Sequence, residues 1–170
     1  MRRGRHDGGG YGTLRLMIMA LSADLAVKGA ARFFLSGKTV PLVFGFRLEL
    51  HLNSGVSFGL TPTLGWAVGL LGLAVLLGLT WASRGRTGRA GCGLALLWAG
   101  GLSNALERLF LGSVTDFFLV PLRRLPLVPL SGLYLNLADL WLFFGAVLLL
   151  LDFLSHTKGG GGEPSAADKP

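Results

Sequence analysis

The sequence predicts an all-α membrane protein with four transmembrane helices and a small extracytoplasmic β element. Hydrophobic residues make up 51% of the 170 residues and charged residues only 15%, whereas soluble domains have about a quarter charged residues. Long apolar segments recur, and basic residues cluster between them, as in multi-pass membrane proteins. One segment instead alternates apolar and polar residues at every step, which is the period of a half-exposed strand.

Four apolar segments are candidates to cross a bilayer core of about 30 Å, because a helix rises about 1.5 Å per residue. We expect these spans at 14–34, 64–82, 90–106 and 133–154. The start of the first segment also resembles a secretory signal peptide that would be cleaved after Ala23. Its apolar character continues to Phe34, however, and three further spans follow. An uncleaved first helix is therefore the better interpretation.

The remaining chain forms outer segments and tails. Outer segments are expected at 36–63, which contains the alternating strand over 46–53, and at 109–132. The predicted organisation has three parts, which are a flexible basic tail over 1–13, one membrane domain over 14–156 and a disordered tail over 157–170. Arginines in the N-terminal tail and in the turn at 84–89 place both termini in the cytoplasm.

Composition argues against several classes of function. The net charge is +7, but no stripe of aromatic and basic residues is present, so we expect no nucleic-acid partner. The single Cys92 excludes an internal disulfide and a cysteine-based metal cluster. The three histidines lack the spacing of metal ligands, so we predict neither a metal nor another cofactor. We expect a monomer that contacts membrane lipids.

Two aspartates in apolar surroundings are the main candidates for chemistry. Asp116 follows the outer end of the third span and Asp139 lies near the outer start of the fourth, so their carboxylates can meet at one depth. Two carboxylates that share a site split their pKa values. The ionised one can then deprotonate water while the protonated one polarises a peptide carbonyl. Alternatively, each acid pairs with an arginine such as Arg108 or Arg123.

Polar residues near these acids have helical spacing. Asn136 and Asp139 are three positions apart, so we expect them on one face of a helix. Asp24 and Lys28 are four positions apart and are predicted to form an internal ion pair of the first span.

Five separated blocks of the sequence resemble lipoprotein signal peptidase, the type II signal peptidase of bacteria. They occur in the family's order among the four spans. The five blocks are Asp24-Leu25-Ala26-Val27-Lys28, Asn53-Ser54-Gly55-Val56-Ser57-Phe58-Gly59, Gly100-Gly101-Leu102-Ser103-Asn104-Ala105-Leu106-Glu107-Arg108, Val114-Thr115-Asp116-Phe117 and Asn136-Leu137-Ala138-Asp139. The sequence departs from the family pattern at four positions, which are Leu25, Ser57, Ser103 (glycine in the family) and Glu107 (aspartate in the family).

The resemblance implies an intramembrane aspartic endopeptidase at the outer face of the bacterial inner membrane. Its implied substrates are diacylglyceryl-modified prolipoproteins, which it cuts before the lipidated cysteine to remove the signal peptide. The implied catalytic acids are Asp116 and Asp139. The residues implied to bind or orient the substrate are Asn53, Gly55, Asn104, Arg108 and Asn136. Structural support is expected from Asp24, Lys28 and Glu107.

Two other functions remain open at this stage. A diverged or inactive paralogue would bind lipidated proteins without cutting them. A polytopic transporter or assembly subunit would use its acids as a polar relay, and such a relay should place them at several depths of the membrane. Asp116 and Asp139 are expected at one level, which favours the peptidase.

Overall fold

Four helices and an antiparallel sheet form the part of the chain that the structure describes. The computed structural model describes residues 8–54, 65–84, 86–122 and 132–159. The helices are α1 (Gly8–Phe34), α2 (Gly65–Ala82), α3 (Arg89–Leu111) and α4 (Leu137–Gly159). The strands are β1 (Thr39–Pro41), β2 (Arg47–Asn53), β3 (Val114–Pro121) and β4 (Gly132–Leu135).

Helix α3 lies at the centre of the bundle and contacts α1, α2 and α4. Glycines allow α3 and α4 to approach closely. A Cβ atom added at Gly100 would lie 2.5 Å from the carbonyl oxygen of Ala138, and one at Gly145 would lie 2.8 Å from that of Gly93. Small residues at such crossings let helix backbones pack against each other within a membrane.

The sheet has the strand order β1-β2-β3-β4, and all neighbouring strands are antiparallel. Gly112 ends α3 with a φ of 73°, and its N–H donates to the carbonyl of Arg108. A left-handed glycine of this kind ends the helix and turns the chain, here into β3. At the other edge, β4 leads directly into α4. The sheet therefore lies where α3 ends and α4 begins.

The strand predicted over 46–53 is confirmed as β2, but several predicted boundaries are wrong. Helix α1 begins at Gly8 rather than at residue 14, so the predicted flexible tail is helical from Gly8 onward. The side chain of Thr13 packs under Gly91 of α3, where an added Cβ would lie 3.1 Å from the Thr13 methyl group. Thr13, one residue before the predicted start of the span, therefore packs against the bundle.

The fourth span was predicted to begin at 133, but α4 begins at Leu137. Residues Gly132–Leu135 instead pair with β3 as an edge strand. The predicted outer loop 109–132 likewise contains β3, whose backbone pairs with strands on both sides. The parts of the predicted outer segment over 55–63 and of the C-terminal tail over 160–170 lie outside the described residues.

Among the described helices, one has the length and apolar composition of a membrane span, namely Leu137–Thr157 with a mean hydropathy of 2.1. Trp66–Ala82 is a shorter apolar helix. Helices α1 and α3 contain more charged residues, but Asp24, Lys28 and Glu107 are buried against one another. These three charged side chains lower the mean hydropathy of α1 and α3, but they point into the bundle and not toward its outer surface.

Candidate active site

Asp116 is a buried acid on β3 that accepts hydrogen bonds from two amides. The Nδ2 atoms of Asn53 and Asn136 donate to its two carboxylate oxygens at 2.9 Å and 2.6 Å, respectively. Burial raises the pKa of Asp116 above its ordinary value, while the two amide donors and the nearby His51 and Lys28 act in the opposite direction. Asp116 is thus an acid that can hold a proton closer to neutral pH than an exposed aspartate.

Asp139 lies in the first turn of α4 and exchanges two hydrogen bonds with Asn136. The backbone N–H of Asn136 donates to Asp139 Oδ2 at 2.9 Å, and the backbone N–H of Asp139 donates to Asn136 Oδ1 at 3.1 Å. This is the reciprocal geometry of a capping box. The prediction that both residues share a helix face is wrong, because Asn136 precedes the helix and caps it.

Asn104 connects the acids from the side of α3. Its Nδ2 donates to Asp139 Oδ1 at 3.4 Å, and its Oδ1 accepts from Asn136 Nδ2 at 3.3 Å. Lys28 Nζ also donates to this oxygen at 2.6 Å, which fixes the orientation of the amide. Within the described ranges, neither Asp116 nor Asp139 forms a direct ion pair, so the predicted alternative of an ion pair with Arg108 is not observed. Arg123 lies outside those ranges.

A buried charged network lies directly behind the two acids. The predicted ion pair of Asp24 and Lys28 is confirmed at 2.8 Å, and Lys28 also lies 3.2 Å from Glu107. Glu107 accepts the backbone N–H of Thr115 at 2.8 Å and its hydroxyl at 2.7 Å. Arg32 completes the network, at 3.0 Å from Glu107. The longer side chain of Glu107 therefore reaches the strand that holds Asp116.

Arg108 occupies the same end of α3 and is half-buried. Its guanidinium interacts electrostatically with Asp116, Asp139 and Glu107. Its Nε atom is buried and has no hydrogen-bond partner among the residues that the structure describes. A buried donor without a partner is costly.

An apolar cavity of about 340 Å³ lies beside the acids, between α1, the sheet and the start of α4. Its lining residues are Val27, Phe117, Phe118, Leu135, Asn136, Leu137 and Leu140. Asn136 is the polar residue of this lining and also binds both acids. Apolar cavities with few polar groups are typical of binding sites for small or apolar ligands.

The structure brings together nine of the ten residues that the sequence singled out, since Gly55 lies outside the described residues. Sequence reasoning missed Arg32, Thr115 and the hydrogen bonding of Ser103. Ser103 donates to Asp24 at 2.5 Å and accepts from Lys28 at 3.2 Å. One signal was available, because Asp24, Lys28 and Arg32 follow one another at four-residue intervals and so lie on one helix face.

Comparison with known proteins adds to this geometry. The sequence model of the family described as Signal peptidase (SPase) II matches residues 16–155. The chain belongs to the signal peptidase II family. A lipoprotein signal peptidase of Ralstonia nicotianae is 32% identical over 168 residues, which cover 91% of this chain and 92% of that protein. One of Sinorhizobium fredii is 34% identical over 148 residues, with 84% and 86% covered.

Two solved structures share the fold of this signal peptidase II family member. Both are described as bacterial membrane enzymes, solved in meso at 2.3 Å and 1.9 Å resolution. The first has a TM-score of 0.67 at 18% identity, with 96% of this chain and 98% of that chain covered. The second has a TM-score of 0.69 at 18% identity, with 91% and 97% covered.

Proposed function

We propose that this enzyme removes signal peptides from prolipoproteins and that Asp116 and Asp139 are its catalytic pair. One observation supports the assignment most directly. Asn136 binds both carboxylates, Asp116 through its side-chain amide and Asp139 through its backbone N–H. Asp116 on β3 and Asp139 on α4 are thereby held close together. Their burial disfavours a negative charge on both carboxylates at the same time. The curated relatives are named lipoprotein signal peptidases.

The pair is suited to general acid–base hydrolysis of a peptide bond. In the proposed reaction, the ionised carboxylate takes a proton from water as the water oxygen attacks the carbonyl carbon. The protonated carboxyl donates a hydrogen bond to the carbonyl oxygen, where negative charge develops. Collapse of the tetrahedral intermediate breaks the C–N bond, and the proton taken from water passes to the leaving amine. Cleavage before the lipidated cysteine thus yields a free amino group on that cysteine.

The surrounding residues would orient the substrate. Arg108 would orient the substrate through its guanidinium, which lies at the same end of α3 as the two acids and interacts electrostatically with both. Asn53 and Asn104 hold Asp116 and Asp139, respectively, in fixed orientations. The apolar cavity beside Asn136 would receive an apolar part of the lipidated substrate. Gly55 is proposed to take part in substrate binding, as a member of the second block that resembles the family.

We further propose a four-span topology in which α1 to α4 all cross the inner membrane of a bacterium. The sheet and the catalytic pair then lie at the outer face, and both termini and the basic turn at 84–89 lie in the cytoplasm. The charged side chains of α1 are compatible with a span because Asp24 and Lys28 are almost fully buried and paired. The enzyme is proposed to work as a monomer among membrane lipids.

Replacement of each acid tests the catalytic assignment. Asp116→Asn and Asp139→Asn should each abolish cleavage of a synthetic diacylglyceryl prolipopeptide by the purified full-length enzyme. Asp152→Asn is a matched control, because Asp152 is an aspartate of α4 that is buried, like Asp116, but pairs with Arg86 away from the site. It should retain activity. Full activity in both Asp116 and Asp139 variants would refute the assignment, and a wild-type protein that binds the peptide without cutting it would identify an inactive relative.

A further inference from the structure

The residue just before each catalytic aspartate has its backbone N–H bound by a buried carboxylate. The N–H of Thr115 donates to Glu107 Oε2 at 2.8 Å, one residue before Asp116. The N–H of Ala138 donates to Asp24 Oδ1 at 2.7 Å, one residue before Asp139. The positions of the two acids therefore depend on two other carboxylates, one from α3 and one from α1.

A single cation joins those two carboxylates. Lys28 Nζ lies 2.8 Å from Asp24 Oδ2 and 3.2 Å from Glu107 Oε2, which is the same Glu107 oxygen that accepts the Thr115 N–H. Lys28 is 1% exposed and Asp24 is 0% exposed. The same ammonium donates to Ser103 Oγ at 3.2 Å and to Asn104 Oδ1 at 2.6 Å, and the Asn104 amide in turn donates to Asp139.

We propose that Lys28 is a positioning residue that couples the placement of Asp116 to the placement of Asp139. The proposal rests on the proposed function, because it assumes that these two acids perform the cleavage. Lys28 acts through two connections. The first runs through Glu107 and the Thr115 N–H to β3. The second runs through Asp24 and the Ala138 N–H to the start of α4. No described atom of Lys28 needs to contact the substrate for this role.

Charge explains why the coupling needs a cation. Without the ammonium, buried Asp24 would lose its ion-pair partner, and Glu107 would keep only its ion pair with the partly exposed Arg32 among the described residues, which is unfavourable in a dry interior. The two groups would move apart or take up a proton, and the N–H groups that they bind would shift with them. Because reacting groups must be held closely, misplacement of about 1 Å can reduce the rate about 10²-fold.

Lys28 also affects the protonation of the pair. Among the described residues, the charged and titratable groups that act on Asp116 are Lys28 from α1, His51 from β2, Arg108 from α3 and Asp139 from α4. Lys28 lowers the pKa of Asp116 against the opposing effect of burial. Removal of its charge should therefore raise that pKa further, which a purely structural ion pair at a distance from the site would not do.

The decisive experiment compares Lys28→Met with Arg86→Met in the full-length enzyme. Arg86 forms a partly buried ion pair with Asp152 at 3.1 Å and has no contact with the active-site network among the described residues. Cleavage of a diacylglyceryl prolipopeptide is measured as kcat and KM across pH, together with the melting temperature. We expect Lys28→Met to lower kcat about 10²-fold, to leave KM nearly unchanged and to move the acidic limb of the pH profile to higher pH. Arg86→Met should lower only the melting temperature.

A second measurement decides the matter if Lys28→Met does not fold. Asp24→Asn and Glu107→Gln each remove a charge but keep an oxygen that can accept the backbone N–H. If Lys28 couples the two carboxylates, the effects of these substitutions on kcat will not add in the double variant. Additive effects, or a folded Lys28→Met enzyme with wild-type kcat and pH profile, would overturn the coupling. Either result leaves the catalytic assignment intact as long as Asp116→Asn and Asp139→Asn remain inactive.

Discussion

Asn136 uses its backbone and its side chain for different partners. Its amide nitrogen donates to Asp116 at 2.6 Å, while its amide oxygen and backbone N–H cap the first turn of α4 around Asp139. A helix N-terminus also favours negative charge. Loss of this side chain should therefore affect both the stability of α4 and the geometry of the acids.

Substitution at position 136 separates these two roles. Asn136→Ala removes the cap and the amide donor, so we expect a loss of about 1 kcal/mol in the free energy of unfolding and a fall in kcat/KM of about 10²-fold. Asn136→Ser keeps a capping oxygen but lacks the amide, so it should recover most of the stability and little of the activity. Equal activity of the two variants with the wild type would contradict the role of the amide.

The raised pKa of Asp116 predicts how stability depends on pH. The folded protein binds the proton more tightly than the unfolded chain does, so ionisation of Asp116 opposes folding. As pH rises from the ordinary aspartate pKa of 3.8 through the raised value, the wild type should lose stability relative to Asp116→Asn. Melting temperatures of both proteins in detergent, measured across acidic to neutral pH, give the comparison. A difference that is constant or grows in favour of the wild type would contradict the prediction.

The sequence predicted single residues better than their contacts. Asp116 and Asp139 were found because carboxylates are rare in apolar segments. The hydrogen-bond partners of Glu107 were not found from the sequence. Thr115 lies on β3 and Arg32 on α1, and both contact Glu107 only in the folded chain. The three-residue spacing of Asn136 and Asp139 predicted that both lie on one helix face. The same spacing also fits a capping residue that precedes the helix, which is the position that Asn136 occupies.

At the scale of elements, the close crossing of α3 and α4 sets where Asp139 lies. A Cβ added at Gly100 would fall 2.5 Å from the carbonyl oxygen of Ala138, the residue before Asp139. An added Cβ at Gly93, on the same helix pair, would lie 2.9 Å from the carbonyl oxygen of Gly145. The two glycines therefore allow similar packing, but of the two only Gly100 lies beside Asp139 and the proposed catalytic pair.

Alanine substitutions should distinguish packing from positioning. Gly100→Ala should lower both the melting temperature and kcat, because α4 must move away at its catalytic end. Gly93→Ala should lower the melting temperature with a smaller effect on kcat. Gly78→Ala on α2 is the control, since an added Cβ there meets no atom within 4 Å, and alanine stabilises helix interiors by about 1 kcal/mol relative to glycine. A Gly100→Ala enzyme with normal kcat would contradict this account.

The elements themselves were unequally predictable. The strand β2 was found from its strict alternation, as in Arg47-Leu48-Glu49-Leu50. The strands β3 and β4 were missed, because β3 shows no apolar–polar alternation, with one polar residue on each face (Thr115 and Asp116), and β4 has only four residues next to an apolar helix. Pairing between strands that are distant in the chain formed these elements, and such pairing leaves no local period in the sequence.

At the scale of the whole molecule, the two ends of the bundle differ in structure. The sheet and the catalytic pair occupy one end. At the other end, Arg86 pairs with Asp152 near the C-terminal part of α4, and Arg84 lies over the ring of Trp81. Basic residues near helix ends favour the cytoplasmic side of a membrane, so the proposed topology places this second end inside.

Cysteine labelling tests that topology. In a Cys92→Ala background, Lys38→Cys reports on the end with the sheet and Arg84→Cys on the opposite end, and both positions are exposed. An impermeant maleimide should label Lys38→Cys in intact spheroplasts but Arg84→Cys only after the membrane is permeabilised. The reverse pattern, or labelling of both sites in intact cells, would contradict a four-span topology with cytoplasmic termini.

The origin of the two acids in different kinds of structure has a mechanical consequence. Asp116 belongs to a sheet and Asp139 to a helix, so the pair exists only while the sheet stays docked on the end of the bundle. A compound that binds in the apolar cavity between Val27, Phe117 and Leu140 could move Asp116 away from Asp139 without contacting either residue. Such an inhibitor would abolish cleavage while the circular dichroism of the helices stays unchanged, and mutations of the catalytic aspartates would not affect its binding.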